Sequence, residues 1–169
     1  VQGILVQLPL PSQVNAAKIF EAMPLAKDVD GFGVVNWGRF FQVKNFKELE
    51  SCFVPCTPWG VMKLLESAGI ALEGKFACVL GRSNIVGKPM AHLLTLANAT
   101  VALCHSKTRD LPALLRQADV ILAAIGKPNF VTPDMVKEGA VIIDVGINRL
   151  PTGKLVGDVD FEAVAPQAR

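Results

Sequence analysis

Residues 78–94, CVLGRSNIVGKPMAHLL, constrain the fold more than any other stretch of the chain. An apolar run ends at Gly81, a short polar turn follows, and Gly87-Lys88-Pro89 opens a helix. Glycine at a strand end permits a tight turn, and a second glycine lets backbone or ligand approach closely. Proline suits a first helical turn, where its missing N–H costs nothing. The pattern predicts a strand–turn–helix whose backbone N–H groups and helix dipole face an anion. The spacing departs from G-x-G-x-x-G, and an ordinary βα turn can carry the same glycines.

The downstream sequence repeats the strand–helix alternation. FACVLG at 76–81, ATVALCHS at 99–106, DVILAAIG at 119–126 and AVIIDVGIN at 140–148 read as apolar, β-rich strands. DLPALLRQA at 110–118 and TPDMVKEG at 132–139 read as short helices between them. Nearly continuous apolar strands alternating with helices indicate a parallel sheet covered on both faces. Four strands and three right-handed crossovers make an α/β, Rossmann-like half.

Composition narrows the class. Hydrophobic residues are 51% of the 169 positions, enough for a real core, and the net charge of +2 leaves no basic stripe for nucleic acid. No apolar run reaches membrane-spanning length, so no membrane association is expected. None of the four cysteines, Cys52, Cys56, Cys78 and Cys104, forms a C-x-x-C pair, so no zinc site is expected. Reduced thiols in the cytoplasm are the simplest reading.

The first third reads less regularly. GILVQLPLP at 3–11 is expected to be a buried strand, and SQVNAAKIFEAM at 12–23 a helix capped near Ser12, with Ile19, Phe20 and Met23 as its buried stripe. Asp28, Asp30 and Gly31 hint at a calcium loop. The hint fails because Phe32 and Arg39 stand where that loop needs ligands, and both aspartates would also suit a turn. Residues 41–54 read as a solvated loop, and PCTPWGVMKLLESAG at 55–69 as a helix entered through Thr57 and Pro58 and stopped by Gly69. The chain opens at Val1 almost inside a core strand and closes on DVDFEAVAPQAR, so it reads as an internal piece of a longer polypeptide.

GILVQLPLP, KDVDGF, PCTPWGVMKLL, GRSNIVGKPMAHLL, CHSKT, GAVIIDVGIN and GDVDFEAV follow one another in that order. Together they resemble the family of bifunctional methylenetetrahydrofolate dehydrogenase/methenyltetrahydrofolate cyclohydrolases, from Gly3 to about Val164. The resemblance implies the C-terminal part of an α/β folate-binding catalytic domain at 1–55. It implies a Rossmann-like NADP domain at 56–155 and the start of a return segment at 156–169, with the active site between the domains. It implies oxidation of 5,10-methylenetetrahydrofolate, then hydrolysis to 10-formyltetrahydrofolate, in a cytoplasmic homodimer acting on tetrahydrofolate derivatives. The family's Tyr-x-x-x-Lys helix would precede Val1 and its Pro-Gly-Gly-Val-Gly-Pro loop would follow Arg169. No lysine here matches the catalytic one, which leaves a fragment that only binds NADP as the alternative. Another NADP enzyme, of shikimate-dehydrogenase type, fits GILVQLPLP and KDVDGF poorly.

Particular residues carry these expectations. Gln7 is an amide in an apolar strand, either satisfied by neighbouring backbone or, as the resemblance implies, set beside the catalytic lysine and folate. Asp30 matches the aspartate that holds the pterin, a task that suits a carboxylate accepting two N–H donors in parallel; Asp28 is assigned to the turn. Gly81, Arg82 and Ser83 begin the cofactor turn. The second strand ends in Cys104-His105-Ser106-Lys107-Thr108, with no acid to take ribose hydroxyls, so a 2′-phosphate and hence NADP is expected. The family uses the residues matching Arg82 and Ser106 there, while His105 is a ligand or a spectator. Thr57, Gly126 and Ile147 match positions near the cofactor, and Ile147 equally suits a core.

Overall fold

A computed structural model describes residues 1–169. Its helices are α1 (Ala16–Ala22), α2 (Val34–Gln42), α3 (Cys56–Ser67), α4 (Gly87–Leu96), α5 (Leu111–Leu115) and α6 (Phe161–Val164). The strands are β1 (Phe76–Leu80), β2 (Thr100–Cys104), β3 (Val120–Ala123), β4 (Val141–Asp144), β5 (Asn148–Arg149) and β6 (Leu155–Val156). The first four form one parallel sheet in the order β2-β1-β3-β4. The expected Rossmann-like sheet is therefore present, and its order reverses between β1 and β3, where ligands of such sheets bind.

Alternation along β1 divides the core. Ala77 and Val79 face one apolar cluster, while Cys78 and Leu80 face the other. The first cluster takes Val61, Met62 and Leu65 from α3 and Met90, Leu93 and Leu94 from α4, at helical spacing. Phe40, Val43 and Leu49 complete it, so residues of the first third share a core with the sheet. The second cluster takes Leu115, Val131, Val136, Val159 and Val164. A fully buried Leu or Val contributes about 1.5–3 kcal/mol, so the two clusters hold the sheet from both sides.

The first third departs from its reading. Residues 3–11 are not a buried strand: one isolated bridge joins Ile4 to Asp28, and Leu5 is exposed. A strand needs a ladder along its length, and only residues 27–28 run alongside it. Residues 1–55 are mainly helical, with the bridge at Ile4 as their extended element. α1 starts at Ala16 rather than near Ser12, because Asn15 Oδ1 accepts the Lys18 N–H at 3.3 Å and caps it. None of its residues is fully buried. α2 follows the Asp28–Asp30 turn in a stretch for which no helix was expected, and 46–51 form a 3-10 helix with Leu49 buried rather than a solvated loop. The helix expected at 132–139 shortens to a 3-10 turn, Pro133–Met135.

Candidate functional site

The glycine turn after β1 is built by close backbone approach. Gly81 has φ +108°, and a Cβ there would overlap the Ala124 carbonyl at the end of β3. A Cβ on Gly87 would overlap the Gly81 carbonyl. Both positions therefore need glycine. Ser83 closes the turn: its Oγ accepts the Val86 and Gly87 N–H groups at 3.1 and 3.3 Å, and its carbonyl accepts the Lys88 N–H at 3.0 Å. The Ser83 hydroxyl oxygen thus accepts two bonds within the turn and keeps its O–H as a donor. The backbone N–H groups of Arg82, Ser83, Asn84 and Ile85 have no acceptor within the chain, leaving four donors for an anion.

The end of β2 lies beside this turn. Gly81 N–H donates to the Cys104 carbonyl at 2.9 Å, and the register continues Leu80 opposite Cys104. Arg82 and Ser106, two residues beyond, share that edge, and both are exposed. His105 braces the turn, with its N–H on Thr108 Oγ1 at 2.8 Å and its Nδ1 accepting the Lys107 N–H at 3.1 Å. The structure thus gives His105 the task of holding the loop that presents Ser106.

On the other side of the switch point, one residue missed by sequence reasoning organises the loops. Asp158 is 0% exposed. Its Oδ2 accepts the Ile125 and Gly126 N–H groups at 2.6 and 3.0 Å, and its Oδ1 accepts the Lys127 N–H at 2.8 Å and Asn148 Nδ2 at 2.9 Å. Asp144, at the end of β4, accepts the Gly146, Asp158 and Val159 N–H groups at 2.9–3.0 Å. The available signal was glycine: a Cβ at Gly146 would overlap the Asp158 carboxylate, and one at Gly157 the Asp144 carboxylate. Gly126 itself takes φ +65° at the strand's exit. Ile147 is 82% exposed, which removes its reading as core and leaves it displayed on the loop after β4.

The two aspartates of the first third separate cleanly. Asp28 is 2% exposed and accepts the Phe32 and Gly33 N–H groups at 3.2 and 2.7 Å and Asn36 Nδ2 at 2.8 Å. It holds the turn. Asp30 instead lines a cleft of about 220 Å³ with Gln7, Thr57, Cys56, Ile85 and Val86. Gln7 is exposed rather than buried, and its amide donates only to the adjacent Leu8 carbonyl at 3.0 Å. Burial first, and then the Asp30 carboxylate, push the Cys56 thiol up, which keeps it protonated and a poor nucleophile. Leu8 and Ile85 continue into an apolar cleft of about 500 Å³ lined by Phe20, Phe32 and Trp37. The expected folate and cofactor residues therefore meet where residues 5–8, the Asp30 turn and the glycine turn converge. Arg82, Ser106, Gly126 and Ile147 lie outside this cleft, along the carboxyl edge of the sheet.

The family description "Tetrahydrofolate dehydrogenase/cyclohydrolase, NAD(P)-binding domain" matches residues 55–169. The bifunctional protein FolD of Aromatoleum aromaticum is 59% identical over 167 residues, covering 96% of this chain and 56% of that protein. A bifunctional FolD methylenetetrahydrofolate dehydrogenase/cyclohydrolase from Campylobacter jejuni has a solved structure that superposes with a TM-score of 0.92. It is 54% identical, covering 99% of this chain and 57% of its own. The Trypanosoma brucei dehydrogenase-cyclohydrolase, solved with NADP cofactor and an inhibitor, gives a TM-score of 0.87 at 35% identity, with 99% and 58% coverage. The chain spans about half the length of the curated relatives it matches.

Proposed function

The chain belongs to the tetrahydrofolate dehydrogenase/cyclohydrolase family, and from that premise we propose that it serves the NADP-dependent oxidation of 5,10-methylenetetrahydrofolate. Hydrolysis of the methenyl product to 10-formyltetrahydrofolate follows at the same site. The observation that carries this reading is the cleft that sets Gln7, Asp30 and Thr57 against Ile85 and Val86 of the glycine turn. Asp30 accepts paired N–H donors of the pterin, and Gln7, whose amide N–H is tied to the Leu8 carbonyl, offers its side-chain oxygen as an acceptor in the same cleft.

The residues present fit a dinucleotide phosphate. Four unengaged N–H groups at 82–85 suit its pyrophosphate, and Arg82 with the Ser106 hydroxyl suits a 2′-phosphate. NADP, when bound, supplies the hydride acceptor. Gly126 and Ile147 are the residues that would border its nicotinamide half, and the cleft would align donor and acceptor. Residues 1–55 are assigned to the folate side, 56–155 to the cofactor unit and 156–169 to the return segment. We take the working protein to act in the cytoplasm as a homodimer. No helix is long and apolar enough to cross a membrane.

No lysine lines the cleft, which favours a second reading in which this chain holds NADP without turnover. Mixing the 169-residue chain with methylenetetrahydrofolate and NADP separates the two. Growth of reduced-nicotinamide absorbance supports the enzymatic reading. Calorimetric NADP binding with no absorbance change supports the second, and absence of binding overturns both.

A further inference from the structure

We propose that Asp158 is a positioning residue that shapes the nicotinamide half of the dinucleotide site, an inference that rests on the NADP reading above. Asp158 lies after β6, ten residues from Asn148 and 31–33 residues from the loop at 125–127. Its carboxylate ties two of those loops together. Three backbone N–H groups come from residues 125–127 at the exit of β3, and the Asn148 amide comes from the segment after β4. All four partners are donors, which suits a carboxylate and leaves no acceptor for a carboxylic acid proton. Asp144 fixes Asp158 in turn through its backbone N–H at 3.0 Å. Gly146 and Gly157 lack the Cβ atoms that would displace either carboxylate.

The placement is selective. Both tied loops leave the β3–β4 side of the switch point, and none of the four bonds reaches the β1 turn or the β2 turn that presents Ser106. A dinucleotide crossing the sheet edge places its two halves on opposite sides of that point. Asp158 therefore governs one half of the site and leaves the other untouched. Substitution by asparagine keeps the volume but turns an NH2 group toward two of the four N–H donors, whichever oxygen it replaces, so at least one loop must shift.

The test compares two ligands on the 169-residue chain by titration calorimetry. NADP carries both halves, whereas 2′,5′-ADP carries only the adenosine and 2′-phosphate half. Asp158→Asn is expected to weaken NADP about tenfold or more, the ratio expected when buried donors lose their acceptor, and to change 2′,5′-ADP less than about twofold. Asn148→Ala, which unties one loop and leaves the three backbone bonds, is expected to show the same contrast at smaller size and serves if Asp158→Asn fails to fold. Equal losses for both ligands, or no loss for either in folded variants, would overturn the proposal while leaving the NADP reading intact. Failure of the unaltered chain to bind 2′,5′-ADP would overturn the NADP reading itself and this inference with it.

Discussion

Gly81 and Gly87 sit backbone against backbone, so that a Cβ on Gly87 would overlap the Gly81 carbonyl oxygen and lie 2.9 Å from the Arg82 nitrogen. Nothing in that contact is a flexible side-chain end that could move aside. Gly87→Ala is expected to cost about 2–4 kcal/mol and to abolish NADP binding, because the donors of residues 82–85 are held by this turn. Gly38→Ala is the control. It lies inside α2 with nothing within 4 Å of an added Cβ, and should stabilise by about 0.5–1 kcal/mol. Urea unfolding of both variants decides; a tolerated Gly87→Ala would refute the close-approach account.

Arg82 makes no hydrogen bond or ion pair within the chain and lies at the edge it shares with Ser106. Arg82→Ala should weaken NADP by about ten- to a hundredfold, corresponding to ~1.5–3 kcal/mol for a charge-assisted contact. NAD binding should change little, since it lacks the 2′-phosphate. Calorimetric titration with the two cofactors would show equal losses if Arg82 instead contacted a part common to both.

The neighbouring aspartates should part company in mutagenesis. Asp28→Ala removes the acceptor for two backbone N–H groups and Asn36, and should cost about 2–4 kcal/mol of stability. Asp30→Ala should shift stability by no more than about 0.5 kcal/mol, yet impair folate binding and so both chemical steps. Cofactor affinity should be spared. Thermal melts with folate titrations would contradict the assignment if the two phenotypes were exchanged.

These contrasts show where sequence was informative. The four parallel strands were legible because a strand buried on both faces must be apolar throughout, and Val120 to Ala123 leaves little other choice. Gly81 and Gly87 were legible because close backbone approach leaves no room for a Cβ at either position. Residues 3–11 misled: their apolarity suits a strand, but strand formation depends on a neighbouring ladder that local sequence does not encode. Asp158 was illegible for a related reason. Its partners are mostly backbone N–H groups, which every residue carries, so no residue type at 125–127 announces the bond. Even with the motif GDVDFEAV recognised, the role of its first aspartate, directly after Gly157, required the fold.

His92 offers the sharpest test of how the first third is attached to the cofactor unit. It stands on α4, with Nε2 2.9 Å from the Phe40 carbonyl of α2, and its ring stacks on Phe41 at 4.6 Å. Burial lowers its pKa, opposed in part by the Phe40 carbonyl, which favours the protonated ring. The unfolded chain titrates near 6.5, so between that value and the lower folded one the unfolded state binds more protons. The stability that His92 contributes is therefore complete above about pH 6.5 and is lost as pH falls through the folded value. Asp119, whose pKa is lowered first by its hydrogen bond from Lys137 and then by the Phe76 N–H, loses its contribution only in the more acidic carboxylate range. Urea midpoints at about pH 7.5 and about pH 5.5 should thus fall on acidification for the unaltered chain and fall less for His92→Gln, whose amide still reaches Phe40 without titrating. Equal falls would show that the contact between α2 and α4 is not where the chain senses protons.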